Sequence, residues 1–261
     1  MTSWDPQQYE RFAAERARAF HDLVGRVPTR DAVAVVDLGC GTGSATATLA
    51  ERWPSAAILG IDSSADMIEA ATRYATAQLS FRLADLAEWR PDAGSVDVIV
   101  ANASLQWVAD HETLLARWAP ALDDGGTLAF QVPERTIHAA EAIAAVAASY
   151  PQLTGVLDSV GPRASSPVLD AERYIELLSD AGLLVDAWQT TYFHILPGEN
   201  AVYEWFAGTG IRPFLDALAD DPAALAQFRQ DMAERLCTDF PRREFGTVLP
   251  FPRLFVVATR P

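Results

Sequence analysis

Three glycines at alternating positions, Gly39, Gly41 and Gly43, form the strongest chemical pattern in the sequence. The apolar residues 33–36 before them are typical of a β-strand, and a helical pattern begins at Ser44, so the glycines lie in the turn between the two. Glycine gives such a turn backbone freedom and lets a ligand approach the main chain closely. The N–H groups at the start of a helix bind a carboxylate or a phosphate. The segment therefore predicts a site for a nucleotide-like cofactor.

The spacing of these glycines distinguishes between classes of cofactor. A dinucleotide-binding loop follows the pattern G-x-G-x-x-G, which would place a glycine where this sequence has Ser44. The observed pattern, with an aspartate two residues before the first glycine, resembles motif I of the class I methyltransferases. This resemblance implies S-adenosyl-L-methionine as the cofactor and S-adenosyl-L-homocysteine as its product. The loop residues that would bind it are Asp37, Gly39, Cys40, Gly41 and Gly43.

Polar residues also stand at the ends of the next three predicted strands. Asp62 ends the second strand, where a carboxylate accepts hydrogen bonds from ribose hydroxyls, although an NAD-dependent enzyme places an acid there too. The methyltransferase resemblance implies that Asp85 and Leu86 hold the adenine and that Asn102 lies beside the methionine moiety. Aspartate and asparagine at strand ends are common helix caps. Four of them at successive strand ends favour a site: Asp37, Asp62, Asp85 and Asn102. Two residues close behind the second strand complete the predicted cofactor site, Ser63 and Met67.

Short apolar runs alternate with helical patterns in the first half of the chain, which is typical of a parallel sheet covered by helices on both faces. Strands are predicted at residues 32–37, 57–62, 79–85, 96–102 and 126–132, and helices at 44–53, 64–77 and 111–121. The second of these helices carries an apolar stripe, Met67, Ile68, Ala71 and Ala75. Two late strands are predicted at 183–188 and 254–259. Together with the first five they predict a mostly parallel, seven-stranded sheet. The predicted fold class is α/β, a Rossmann-like class I methyltransferase fold with a helical lid insertion.

The helical segments around the late strands divide the predicted chain into four parts. Residues 1–29 are predicted to form an N-terminal helical flap, 30–133 the S-adenosylmethionine-binding core, 134–182 a helical lid insertion, and 183–261 the late strands with a further helical lid segment. Open α/β sheets bind ligands at the carboxyl ends of their strands, so a lid at that edge would cover the site. The alternative is an extra packing layer of helices without a role in the site.

The composition excludes several classes of partner and mechanism. The formal net charge of −15 disfavours nucleic-acid binding, which needs a positive surface. The sequence contains no lysine, which excludes Schiff-base chemistry and the lysine of a P-loop. Cys40 and Cys237 form no metal-ligand or disulfide pattern, no apolar stretch approaches a membrane span, and residues 1–20 lack the apolar core of a signal peptide. We therefore expect a cytoplasmic protein that binds a small molecule, and neither nucleic acid, membrane nor metal.

Further blocks extend the resemblance over nearly the whole chain. They lie at residues 4–9, 12–18, 60–64, 102–107, 185–194 and 251–258. Among the most specific are Asn-Ala-Ser-Leu-Gln-Trp at 102–107 and Phe-Pro-Arg-Leu-Phe at 251–255. With these blocks the chain resembles the trans-aconitate 2-methyltransferase family. Thr42 stands where the family often has proline, which should change loop stiffness, and residues 134–168 resemble the family weakly, which puts the exact acid in doubt.

The resemblance implies transfer of a methyl group from S-adenosylmethionine to a carboxylate of trans-aconitate, giving the monomethyl ester. A carboxylate is ionised at neutral pH, since its reference pKa is about 4, and needs no general base to act as a nucleophile. The protein then has to align the reacting atoms and exclude water. We therefore expect no catalytic triad, no general base and no metal, and assign no catalytic residue.

A polycarboxylate substrate needs local positive charge in an acidic protein, and arginine binds carboxylates through two parallel hydrogen bonds. Arg253, predicted to open the last strand, is the first candidate, although a surface ion pair is the usual role of an arginine. Further arginines in the predicted helical segments are Arg212, Arg135 and Arg163. The other predicted substrate-binding residues are Tyr192 and His194 on one face of a late strand, Trp107 after the fourth strand, and Trp4 and Tyr9 in the flap. For these side chains the alternative role is packing.

Three alternatives stay open at this point. The chain could methylate another small carboxylic acid or a secondary metabolite, it could be an NAD-dependent oxidoreductase, or it could bind S-adenosylmethionine without catalysis. An NAD-dependent oxidoreductase would require glycine at position 44 and a proton-relay residue near the nicotinamide, and neither is evident. The intact loop and strand ends argue against a non-catalytic role. The sequence does not indicate the oligomeric state.

Overall fold

A computed structural model describes residues 12–134, 137–160 and 168–261 of the 261-residue chain. Within them, one sheet contains the strands β1 (Ala34–Leu38), β2 (Ala57–Asp62), β3 (Leu79–Leu83), β4 (Val96–Asn102), β5 (Leu122–Pro133), β6 (Leu184–Leu196) and β7 (Thr247–Thr259). The helices are α1 (Ala13–Arg26), α2 (Ser44–Arg52), α3 (Ala65–Ala71), α4 (His111–Trp118), α5 (Ile137–Ala147), α6 (Thr154–Val160), α7 (Ala171–Asp180), α8 (Ala201–Ala207), α9 (Arg212–Ala217) and α10 (Pro222–Asp239). Throughout the described ranges, every helix is too short or too polar to cross a bilayer.

The strands are arranged in the order β3-β2-β1-β4-β5-β7-β6. The first five strands pair in parallel, and β7 runs antiparallel to β5, from Thr127 opposite Thr259 to Pro133 opposite Arg253. The central strands are apolar because a sheet of this type buries both faces. Since parallel strands end at the same edge, the last residues of β1, β2 and β4 lie together where open α/β sheets bind ligands. The predicted mostly parallel, seven-stranded sheet with helical insertions is confirmed.

The chain divides into two compact units. We call the first the sheet unit, and it consists of Ala13–Pro133, Pro167–Thr190 and Arg253–Pro261. We call the second the helical unit, and it consists of Met1–Phe12, Glu134–Ser166 and Thr191–Pro252. This division places residues 13–29 and 168–182 in the sheet unit, and the flap predicted at 1–29 and the lid predicted at 134–182 stay predictions.

Packing explains why these two segments belong to the sheet unit. In α1, Phe20 and Leu23 are buried, and Thr29 just after the helix hydrogen-bonds to the Thr127 hydroxyl on β5 at 2.8 Å. In α7, Tyr174 is buried in the same apolar cluster as the residues of β4 and β5. The helical unit has a core of its own, formed by side chains of α5, α8, α9 and α10.

Three predicted elements have different bounds in the structure. The last strand begins at Thr247 rather than at residue 254, since Pro250 and Pro252 precede the residues of β7 that pair with β5 and therefore break no hydrogen bond of that ladder. The strand predicted at 183–188 continues to residue 196. The helix predicted at 64–77 ends at Ala71 and passes into a 3-10 turn, so Ala75 is exposed and lies outside the apolar stripe.

Candidate active site

The loop after β1 turns sharply at Gly39. This residue has a φ of +83°, in the left-handed region that favours glycine, and its N–H donates to the Ile61 carbonyl oxygen at 2.7 Å. A Cβ here would lie 2.2 Å from the Cβ of Ser104. The Ser104 hydroxyl donates to the Leu38 carbonyl oxygen at 2.6 Å. The loop that follows β4 is therefore fastened to the end of β1, and a larger residue at position 39 would push the two apart.

Gly41 leaves open space beside the main chain, next to a carboxylate. Its φ is +55°, and among the described residues, apart from its two chain neighbours, no heavy atom lies within 4 Å of the place where a Cβ would stand. Its N–H donates to Asp62 Oδ2 at 2.9 Å, and Asp62 Oδ1 accepts the Ser64 N–H at 2.9 Å. Burial raises the pKa of Asp62, and backbone N–H donors oppose this rise. Each carboxylate oxygen has a second lone pair, so Asp62 keeps the capacity to accept hydroxyl groups of a ligand.

Asp37 is the most deeply buried acid of the loop. Its side chain is 2% exposed and accepts the Thr46 hydroxyl of α2 at 2.6 Å. Burial raises the pKa of Asp37 to about 7, the charge of Asp62 adds to the rise, and the Thr46 hydrogen bond opposes it. The Asp37 carboxyl therefore changes charge near neutral pH, and a cation bound close to it would favour the ionised form.

The remaining loop residues shape the start of α2. Gly43, with a φ of +76°, is the N-cap residue and has no side chain to cap the helix, so the first N–H groups of α2 suit an anionic ligand. Cys40 is buried, and burial raises the pKa of its thiol, which therefore stays neutral. Met67 is buried in α3, and Ser63 is exposed beside Asp62.

The third and fourth strand ends carry the other predicted cofactor residues. β3 ends at Leu83, so the expectation that Asp85 terminates this strand is wrong; Asp85 caps a 3-10 turn by accepting the Ala87 N–H at 2.8 Å. The N–H of Ala84 donates to the Asp62 carbonyl oxygen at 3.0 Å, which places this turn beside the end of β2. Leu86 in the turn is buried. Asn102 ends β4 as predicted, and its buried Oδ1 has no hydrogen-bond partner among the described residues.

Arg253 lies in the middle of β7 and is 4% exposed, which corrects the expectation that it opens the strand. Its Nη1 donates to Oε1 of Gln131, a fully buried side chain of β5. Gln131 is the register partner of Asn102 on β4. The arginine therefore lies within the sheet and is held by a neutral amide next to a predicted cofactor residue.

Trp107 stands in the 3-10 turn after β4, with 46% of its surface exposed. A buried histidine holds this turn, because His111 Nε2 lies 2.7 Å from the Leu105 carbonyl oxygen and His111 Nδ1 lies 2.7 Å from the Tyr174 hydroxyl. Carbonyl oxygens only accept, so Nε2 carries the proton and Nδ1 accepts from Tyr174. Burial lowers the pKa of His111, which favours this neutral form.

Tyr192, His194 and Arg212 belong to the helical unit. Tyr192 and His194 share one face of β6, are both buried and stack with ring centroids 5.9 Å apart, and His194 also stacks on Trp205 at 4.8 Å. Arg212 forms an ion pair with Asp216 one turn along α9, at 2.8 Å. Their substrate role stays a prediction. Four candidates lie outside the described residues, Trp4, Tyr9, Arg135 and Arg163.

Comparison with known proteins identifies the family. A family model for a methyltransferase domain matches residues 35–126. A trans-aconitate 2-methyltransferase from Rhodococcus jostii is 44% identical over 98% of each chain. Another, from Streptomyces coelicolor, is 43% identical over 99% of this chain and 87% of the relative. The chain belongs to the trans-aconitate 2-methyltransferase family. The resemblance noted in the sequence blocks is thereby confirmed.

Solved structures share the class I methyltransferase fold with this family member. Phosphoethanolamine N-methyltransferase 2 from Haemonchus contortus, in complex with S-adenosyl-L-methionine, has a TM-score of 0.57 at 14% identity, covering 97% of this chain and 57% of that one. The [4+2]-cyclase SpnF has a TM-score of 0.57 at 17% identity, covering 94% and 80%. Identities this low show the fold alone. Since one of these proteins is named a cyclase, the fold by itself does not define the reaction.

Sequence reasoning missed three residues that shape the site of this family member. Ser104 and Gln131 act through partners distant in sequence, since Gln131 and Arg253 are 122 positions apart. Thr46 could have been found from its place in the first turn of the predicted helix, because a hydroxyl there can reach the end of β1. Within the described ranges, no three His, Cys, Asp or Glu side chains form a cluster able to hold a metal ion.

Proposed function

We propose that the protein transfers the methyl group of S-adenosyl-L-methionine to a carboxylate of trans-aconitate and releases the monomethyl ester and S-adenosyl-L-homocysteine. The observation that carries this proposal is the identity of 43–44% to trans-aconitate 2-methyltransferases over nearly the whole chain. The geometry of the glycine loop supports the same reaction, since it provides a cradle for the methyl donor.

The described residues fit S-adenosyl-L-methionine on three observations. Gly41 leaves open space beside the main chain, Asp62 keeps acceptor capacity for ribose hydroxyls, and the buried Oδ1 of Asn102 lacks a partner in the described part of the chain. A donor such as the ammonium group of the methionine moiety would satisfy that oxygen. The other proposed cofactor residues are Asp37, Gly39, Cys40, Gly43, Ser63, Met67, Asp85 and Leu86, all in the sheet unit.

The chain's own contribution is to bind, orient and exclude water. When bound, S-adenosyl-L-methionine supplies an activated methyl group on a positively charged sulfur. The Asp37 carboxyl, whose pKa is about 7 in the ligand-free protein, becomes more favourably ionised beside such a cation and so adds to its binding. The substrate carboxylate is already a nucleophile, which leaves its alignment as the protein's main task.

Positive charge for the substrate is assigned to Arg253. It is buried, and its Nη1 donates to the amide oxygen of Gln131, a neutral group. Trp107, Tyr192, His194, Arg212, Trp4 and Tyr9 remain the further proposed substrate residues. The helical segments, predicted as residues 134–182 and part of 183–261, remain proposed as a lid. The proposed setting is the cytoplasm, with a small-molecule substrate and no nucleic-acid or membrane partner.

The activity assay uses methyl-labelled S-adenosyl-L-methionine with trans-aconitate, cis-aconitate, isocitrate and citrate as separate substrates. We expect a labelled, base-labile ester from trans-aconitate. An ester from another acid and none from trans-aconitate would contradict the proposed substrate but not the proposed type of reaction. A thermal-shift panel separates the classes of cofactor: S-adenosyl-L-homocysteine should raise Tm and NAD should not, and the reverse result would refute the methyltransferase assignment.

A further inference from the structure

We propose that Gln131 is a substrate-binding residue, which holds the Arg253 guanidinium with its amide oxygen and donates its amide N–H to a carboxylate of the acid substrate. The proposal rests on the proposed carboxyl methyl transfer and adds a residue to its acceptor site. It follows from one hydrogen bond, one buried donor and the strand register.

The orientation of the Gln131 amide is fixed by its partner. A guanidinium carries only donors, so the group that faces Arg253 Nη1 must be the amide oxygen. The other end of the amide, Nε2, is buried and has no hydrogen-bond partner among the described residues. A buried donor without an acceptor is unfavourable, and most such groups in proteins are satisfied by a protein group, water or ligand. The Gln131 N–H is therefore positioned to receive an acceptor.

The strand register places this donor between the two halves of the proposed reaction. Gln131 is the register partner of Asn102 on β4, a proposed contact of the methyl donor. On its other side, β5 pairs with β7, which carries Arg253, the proposed contact of the substrate. A methyl transfer enzyme has to fix the attacking oxygen between these two contacts. The Gln131 N–H lies at that position in the sheet.

The chemistry at this position fits a carboxylate. The Gln131 amide that accepts from the guanidinium is neutral, so this hydrogen bond itself adds no counter-charge. The side chains of Gln131 and Arg253 are 0% and 4% exposed, and hydrogen bonds to charged groups are stronger where water is excluded. Two donors, one charged and one neutral, match the two oxygens of a carboxylate.

Two substitutions test the role. Gln131→Glu keeps an acceptor for Arg253, but it places a negative charge beside the guanidinium and removes the N–H donor. Gln131→Leu removes both contacts with a side chain of similar size. We expect each variant to raise the KM for trans-aconitate by about 10- to 100-fold, the loss that corresponds to one hydrogen bond to a charged group. The Kd for S-adenosyl-L-homocysteine should stay within about twofold of the wild-type value, since the cofactor residues are unchanged.

A control for the added negative charge is Ser55→Asp, at an exposed position of the sheet unit just before β2 and outside the proposed sites and lid, which should leave the KM unchanged. If the wild type forms no ester from any acid, the proposed function fails. If the wild type is active and Gln131→Glu keeps its KM within about twofold, the inference fails while the function stands. If either variant raises the KM only together with a loss of S-adenosyl-L-homocysteine affinity or of Tm, Gln131 is structural, and the inference is overturned.

Discussion

Replacing Asp37 with asparagine tests whether a buried, partly protonated carboxyl lies under the cofactor loop. The folded-state pKa of about 7 exceeds the ordinary value of 3.8, so the folded chain holds this proton more tightly than the unfolded chain. Stability should therefore fall as pH rises from about 4 to about 7 and level off above that. At about 1.4 kcal/mol per pKa unit, ionisation of Asp37 costs up to about 4 kcal/mol at pH 8 and roughly half of that at about pH 5.5.

Asparagine cannot ionise, and its carbonyl oxygen can still accept the Thr46 hydroxyl. We therefore expect Asp37→Asn without ligand to be more stable than the wild type near pH 8, by up to about 4 kcal/mol, with a smaller difference at lower pH. Urea unfolding between about pH 5.5 and 8, followed by tryptophan fluorescence, measures this difference, since Trp53 and Trp118 are buried in the sheet unit. Asp92→Asn, at an exposed position, is the control for a general charge effect.

The cofactor should reverse the order of the two proteins. The wild type should bind S-adenosyl-L-methionine more tightly as pH rises through about 7, because the ionised carboxylate favours a cation, and Asp37→Asn should lose this dependence and bind more weakly above it. The reasoning is refuted if the ligand-free variant is less stable than the wild type by a constant amount at every pH. That result would show that Asp37 stays ionised and is stabilised by its surroundings.

Three further predictions concern the loop and its neighbours. Asp62→Asn should weaken S-adenosyl-L-homocysteine binding by about 10- to 100-fold in calorimetry, and unchanged affinity would contradict its ribose role. Gly39→Ala should lower the free energy of unfolding by about 2–4 kcal/mol, since it adds left-handed strain and a clash, whereas Gly25→Ala, in a helix with open space around the new methyl group, should raise it by about 0.5–1 kcal/mol. Tyr174→Phe should cost about 1–3 kcal/mol in urea unfolding because His111 loses its donor; equal stability would remove that bond from the network.

Periodicity in the sequence predicts most of the sheet because the strands from β1 to β5 contain short apolar runs and, except between β3 and β4, are separated by single helices, which is a local pattern. The late strands were predicted too short. At β7, Pro250 and Pro252 read as strand breakers, and only the three-dimensional register shows that they precede the residues paired with β5. Sequence alone does not contain that register.

The two sides of the site differ in how far the sequence predicts them. The cofactor side consists of glycines and acids within a few residues of each strand end. The local sequence therefore indicates both the chemistry of these residues and their position in the fold, as for Gly41 and Asp62. The substrate side depends on side chains joined across the sheet. Nothing in the residues around Gln131 indicates that its amide meets Arg253, because that contact exists only once β5 and β7 are side by side.

The two cysteines give the protein a selective chemical handle. Cys40 is buried and its thiol pKa is raised, while Cys237 is exposed on α10 of the helical unit. A thiol-reactive dye at neutral pH should therefore attach to Cys237 alone, without any mutation. Because the chain has no lysine, an amine-reactive dye has no side-chain target and would modify only the terminal amine. A fluorophore attached to Cys237 would report on the helical unit during turnover, in an enzyme without substitutions.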